Sequence, residues 1–135
     1  MGKLGQRLGD VSRSGVYRAR TATAIVEAAR ESGVDLARID ARDDVLESVA
    51  KALDFPAWFG RNWDALEDCL GDLSWRQGIA HVLLFEGYPR GDDLGVLLDV
   101  LRATAEYWTQ RGRAFFAVFL DPGRALALPD LYREA

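Results

Sequence analysis

The sequence has 135 residues, 49% hydrophobic and 28% charged, with 17 basic against 21 acidic side chains and a net charge of −4. That is one ordinary domain with enough apolar residues for a core, and its acidic balance argues against a direct nucleic-acid binder, which needs a Lys/Arg surplus to neutralise phosphate. A single cysteine, Cys69, excludes an intrachain disulfide and points to the cytoplasm. With His81 as the single histidine, zinc sites built from four cysteines, or from two cysteines and two histidines, are excluded too. Ser-His-Asp or Cys-His catalysis would depend on His81 alone. No apolar run approaches the ~20 residues of a membrane span, and residues 1–10 lack the apolar stretch of a signal peptide.

Along the chain, residues 1–14 show no sustained period and read as a flexible N-terminal tail. Residues 15–18 suit a short strand. Residues 21–32 read as a helix, with Ala24, Ile25, Ala28 and Ala29 on one side and Gly33 as its stop. A strand follows over 34–39. Asp44-x-x-Glu47 resembles a capping box opening a helix to about Leu53. Residues 54–60, punctuated by Pro56 and Gly60, form a loop. Asn62 is the expected N-cap of a helix running to about Leu73. His81–Phe85 is a nearly continuous apolar strand of the kind covered on both faces. Asp93 is expected to cap a long helix ending at Gly112, and Ala114–Leu120 is a second apolar strand. Residues 121–135 read as a C-terminal tail with some helical character. Alternating strands and helices predict a single three-layer α/β domain over 15–120, with a mainly parallel sheet of three to four strands flanked by helices.

The charge is uneven. Residues 43–75 hold two basic and eight acidic groups, a net of −6, whereas residues 1–42 carry a net of +3. On the helix after Asn62, Leu66, Cys69, Leu70 and Leu73 make the apolar stripe. Asp64 and Asp68 fall roughly opposite it, one turn apart, with Glu67 and Gly71 on the same outer side. No Lys or Arg lies between Asn62 and Asp72, so the two aspartates repel each other. Trp58 and Phe59 stand in the loop just before. Aromatics beside paired carboxylates suit a protein partner with a basic surface. The plain alternative for each is packing or solvation: surface acids on a helix, aromatics and Trp63 closing the core, Cys69 an inert core thiol, His81 structural with no obvious partner. No glycine pattern matches GxGxxG or a P-loop, and Asp92-Asp93 reads as a cap, so neither cofactor nor metal is expected.

The run from Leu53 to Leu70 (LDFPAWFGRNWDALEDCL) is similar to the signature segment of barstar-like proteins: apolar-Pro-x-aromatic-aromatic-Gly-x-Asn-apolar-Asp-Ala-Leu-x-Asp-x-Leu. Roughly a dozen positions match in type and spacing, far more than a lone glycine motif, and the resemblance extends over about Val34 to Leu120. It implies a small barstar-like α/β fold and a ribonuclease inhibitor or immunity protein, not an enzyme. Its partner would be a secreted microbial ribonuclease or related basic toxin, and the free inhibitor a monomer. By position, the resemblance assigns Asp68 as the central plug of the nuclease site and Asp64 as its neighbour. It gives Trp58 the aromatic loop contact, Asn62 the cap and rim, and Gly60 the close backbone approach. Trp63, Glu67 and Gly71 would border the patch. The chain departs from the family pattern at Glu67, where an aromatic stands, and at Ala103, where a glutamate stands; Glu106 is the candidate substitute one turn on. Two other readings remain at this point. One is a barstar-fold module for a non-nuclease toxin. The other is a metal-dependent α/β enzyme or phosphoacceptor domain using Asp40, Glu86 and Asp121 after the strands.

Overall fold

Two continuous apolar runs set the centre of the fold. They form β3 (Ala80–Gly87) and β4 (Ala114–Leu120), paired in parallel as inner strands. β2 (Asp35–Asp40) adds beyond β3 and β1 (Gly15–Ala19) beyond β4, so the all-parallel sheet has the order β1-β4-β3-β2. The computed structural model describes residues 2–133.

Strand alternation divides the core into two layers. Leu83, Phe85, Phe115, Ala117 and Phe119 face one side, where α3 (Val45–Ala52), α4 (Trp63–Asp72) and α5 (Asp92–Gln110) pack. Val82, Leu84, Phe116 and Val118 face the other, covered by α1 (Lys3–Leu8) and α2 (Thr23–Ser32). Phe85 and Phe119 stack across the central pair, centroids 4.6 Å apart. The expected three-layer α/β architecture is therefore present. Among the described residues no helix is long and apolar enough to cross a membrane.

Both ends differ from the sequence expectation. The stretch read as a loose tail contains α1 and a 3-10 turn over Val11–Arg13; Leu8 is fully buried and α1 packs on α2. Glycines at 2, 5 and 9 hide this helix from propensity, and Leu4 and Leu8 give it only one apolar turn; tertiary burial stabilises it. The C-terminal stretch up to Arg133 has no helix; residues 134 and 135 lie outside the described residues. It docks through buried Leu126, Leu128 and Leu131. Buried Asp121 fixes its start by accepting from the amides of Ala125 (3.0 Å) and Leu126 (2.7 Å). At α5 the N-cap is Gly91, with no side-chain cap; Asp93 and Asp92 lie inside the first turn, where their charge still complements the helix dipole.

Candidate functional site

α4 begins where the sequence places it. Asn62 Oδ1 accepts from the Ala65 amide at 2.8 Å, satisfying one of the orphan donors of the first turn. Leu66, Cys69 and Leu70 are buried beneath the helix. Its far end is held by Trp108 of α5, whose indole N–H donates to the Leu70 carbonyl at 2.8 Å. With both ends fixed, Asp64, Glu67 and Asp68 project outward and are exposed. Replacing Asn62 with alanine is expected to lower stability by about 1 kcal/mol in urea unfolding, the usual cost of an N-cap.

The preceding loop resolves its two aromatics oppositely. Phe59 turns in against Phe55 (centroids 4.9 Å) and the core, while Trp58 is 62% exposed. Trp58 and Trp75 are nearly perpendicular, centroids 6.5 Å apart, and Trp75 is fixed by its indole N–H donating to the Leu53 carbonyl at 2.8 Å. The exposed ring therefore stands beside an anchored one. Gly60 is exposed, its carbonyl accepting from Asn62 Nδ2 at 3.4 Å. Trp63 is half-buried and packs against the core. Arg61, the loop's one cation, turns to α3 and pairs with Glu47 at 3.3 Å.

No cation among the described residues pairs with Asp64, Glu67 or Asp68. The resulting field reaches the core: burial first, then the Asp68 and Asp72 carboxylates, push the Cys69 thiol up. Such a thiol is no nucleophile. Between α4 and α5 runs an open groove of about 470 Å³, with Asp68 and Asp72 on one wall and Ala103 and Tyr107 on the other. Gly71 lies against the Tyr107 ring; a methyl there would make an ordinary 3.5 Å contact.

The family model for Barstar (barnase inhibitor) matches residues 29–120, more than half of the sequence. The chain belongs to the barstar family. Among curated proteins and solved structures, none matches it. The barstar match begins within α2 and ends with β4, taking in α3, α4 and α5; α1, β1 and the docked C-terminal stretch lie outside it. Barstar-family proteins are inhibitors of a ribonuclease rather than enzymes, and a protein partner of that kind is the family's common property.

Of the residues the sequence singles out, Asp64, Glu67 and Asp68 share the outer face of α4. Trp58, Gly60 and Asn62 gather at its N-terminal end, and Gly71 marks the other end. Glu106 is exposed on α5 but does not line the groove, where Ala103 stands instead. Three groove residues, Asp72, Thr104 and Tyr107, are absent from the sequence-based set; helical spacing from Ala103 would find Tyr107 one turn further on. The carboxylates that a metal-dependent α/β enzyme would need are otherwise engaged. Asp40 pairs with Arg42, Glu86 takes a bidentate contact from Arg38 (2.8 and 2.7 Å), and Asp121 caps the C-terminal turn. Among the described residues no group of three or more His, Cys, Asp or Glu is placed to hold a metal ion.

A second polar cluster lies at the start of the sheet. Asp35 opens β2 directly beside His81 of β3. It accepts from His81 Nδ1 at 3.0 Å and from Arg76 Nε and Nη2 at 2.7 and 2.8 Å, so the histidine that looks partnerless in the sequence has a partner. At Gly78 (φ +149°) a Cβ would lie 2.8 Å from Asp35 Cβ, so glycine is what lets residues 76–79 close over the pair.

Proposed function

We propose that this protein is a cytoplasmic immunity protein that inhibits a secreted microbial ribonuclease by plugging its basic active site with the outer face of α4. The carrying observation is three exposed carboxylates, Asp64, Glu67 and Asp68, without internal cations, on a helix capped at one end and bolted at the other, beside exposed Trp58. A ribonuclease must present Arg, Lys or His to phosphate, and a rigid acidic helix substitutes for that phosphate. Asp68 is the central plug and Asp64 its neighbour one turn earlier. Trp58 supplies a rigid aromatic anchor, and Gly60 allows close backbone approach. Because the carboxylates are held by a helix, little ordering cost attends binding.

The test is a titration of purified protein, free as a monomer, against ribonuclease activity, using barnase and a small panel of other microbial secreted ribonucleases. Stoichiometric loss of activity for at least one enzyme is expected. Failure against every enzyme would overturn the reading and leave a basic toxin of another class as the partner. Association with the inhibited enzyme should slow several-fold between about 50 mM and about 500 mM salt in stopped-flow mixing, since exposed charges steer the encounter. An on-rate indifferent to salt would remove the electrostatic part of the mechanism.

A further inference from the structure

The overall surplus of acid conceals a basic pocket. It lies at the carboxyl end of β1 and measures about 440 Å³. Arg7 of α1, Arg20 after β1, Arg124 after β4 and Arg133 line it around buried Leu131. All four arginines lie outside residues 29–120, so membership of the family assigns them no role. Asp130 is the one carboxylate among the described lining residues, which leaves four cations against one anion, a net of +3. That carboxylate is already divided: it accepts from Arg18 Nε at 2.9 Å and pairs with Arg124 at 3.6 Å. No carboxylate among the described residues pairs with Arg7 or Arg133. The N-terminus of α2 adds to the same sign, since its N-cap is Ala22, two residues after Arg20, and Ala22 offers its first amides no side-chain acceptor.

We propose that this pocket binds a small anion carrying two linked phosphoryl groups, either free pyrophosphate or the diphosphate of a nucleotide, held by Arg7, Arg20, Arg124 and Arg133. Guanidiniums gathered round one space repel each other, and an anion between them turns that repulsion into attraction. A guanidinium also forks onto two phosphate oxygens, which gives direction as well as charge. A single phosphoryl group carries about −2 at most and leaves the net of +3 in excess; two linked groups come closer to matching it. The volume, about 440 Å³, is that of a small-ligand site. A nucleic-acid strand is disfavoured, because it needs basic residues along a continuous track, and here they are confined to one pocket of a chain with net charge −4. Arg7 and Arg20 precede the family match and Arg124 and Arg133 follow it, so the bound anion would join the two stretches that flank it. None of the residues on the outer face of α4 takes part, so this site stands or falls independently of ribonuclease inhibition.

Pyrophosphate, ADP and orthophosphate are each titrated calorimetrically into the full chain at about 150 mM salt, where loosely attracted ions are screened. Pyrophosphate and ADP are expected to bind, with orthophosphate at least about tenfold weaker. Tighter binding of ADP would identify the nucleotide as the source of the diphosphate, and equal binding would show that the phosphoryl groups alone are read; both uphold the site. Amide shifts in two-dimensional NMR spectra should centre on Arg20, Leu131 and Tyr132. Arg7→Gln and Arg133→Gln should each weaken pyrophosphate binding about fivefold. Arg133 is at the surface, so its variant tests the site even if Arg7→Gln disturbs α1, and thermal melts verify that both fold. Arg102→Gln, on the exposed side of α5, removes one positive charge elsewhere and should leave binding unchanged. Wild-type affinity in Arg133→Gln, or an equal loss in Arg102→Gln, would overturn the proposal. Binding of a single-stranded RNA oligonucleotide at these residues, with none of pyrophosphate, would overturn it in favour of a nucleic-acid surface.

Discussion

Replacing Asp68 with alanine is expected to weaken binding to the inhibited ribonuclease by at least about 2 kcal/mol, roughly thirtyfold in Kd, while the free protein stays folded. Both halves follow from the same placement. Asp68 lies at the middle of the outer face of α4, so a bound enzyme would surround and desolvate it, and the basic groups aimed at it would be left unpaired by the variant. Inside the free molecule Asp68 has no cation to lose. Its removal instead relieves the i, i+4 repulsion from Asp64, a gain of a few tenths of a kcal/mol. The substitution should also bring the Cys69 thiol down, since the Asp68 carboxylate is one of the charges holding it up. Isothermal titration against the enzyme and urea unfolding of the free protein measure the two halves. Wild-type affinity in the variant would remove the plug, and a clear loss of stability would show that Asp68 has a structural partner.

The second large effect lies away from the binding face. Asp35→Ala is expected to destabilise the fold by about 3 kcal/mol, because it strands two cations or donors, Arg76 and His81, that are themselves largely buried. Burial alone would raise the Asp35 carboxyl, but hydrogen bonds from His81 and Arg76 and the Arg76 charge outweigh it and hold it at about 2. A folded-state value below the ordinary 3.8 means that the contribution is fully present above about pH 4. It is worth about 2 kcal/mol there, and is lost as the pH falls from about 4 towards about 2. The difference between wild type and Asp35→Ala in urea unfolding should therefore be largest at neutral pH and narrow markedly near pH 2. A difference that persists unchanged at low pH would show that the carboxylate charge is not what Asp35 contributes. Arg76 adjoins Trp75, the ring beside Trp58, so the variant should also loosen the aromatic contact of the binding face.

The contrast between Asp68 and Asp35 shows what a sequence carries and what it withholds. Asp68, Asp64 and their cap Asn62 are legible because helical spacing alone puts them on one face, and the start of α4 follows from a local hydrogen bond. The central strands are legible for the same reason: unbroken apolar runs have few alternatives. Asp35 is 41 residues from Arg76 and 46 from His81, and it meets them only through the parallel register of β2 on β3, so the role of His81 emerges only when the sheet is assembled. Tyr107 is hidden by the crossing of two helices. Trp58 and Phe59 are chemically alike as a pair of neighbouring aromatics, and only the position of Phe55 and Trp75 sends one in and the other out.

β1 has a covering on both sides. Its inner edge pairs with β4, from Gly15 against Phe116 to Ala19 against Leu120. On its outer edge, the Arg18 amide donates to the Pro129 carbonyl at 2.9 Å, and the Leu131 amide donates to the Arg18 carbonyl at the same distance. The Arg18 side chain also forks from Asp130 to the Leu126 carbonyl. The two stretches outside the barstar match, separated by about a hundred residues of chain, are thus laced to each other as well as to the sheet. Three consecutive neighbours, β2, β3 and β4, make a sheet without them. In native-state hydrogen exchange the amides of residues 16–19 and of Leu131 should therefore exchange together, as one unit of lower free energy than the central strands. Trimming the chain after Leu120 would then leave β1 an open edge, its Arg18 amide and carbonyl without their partners.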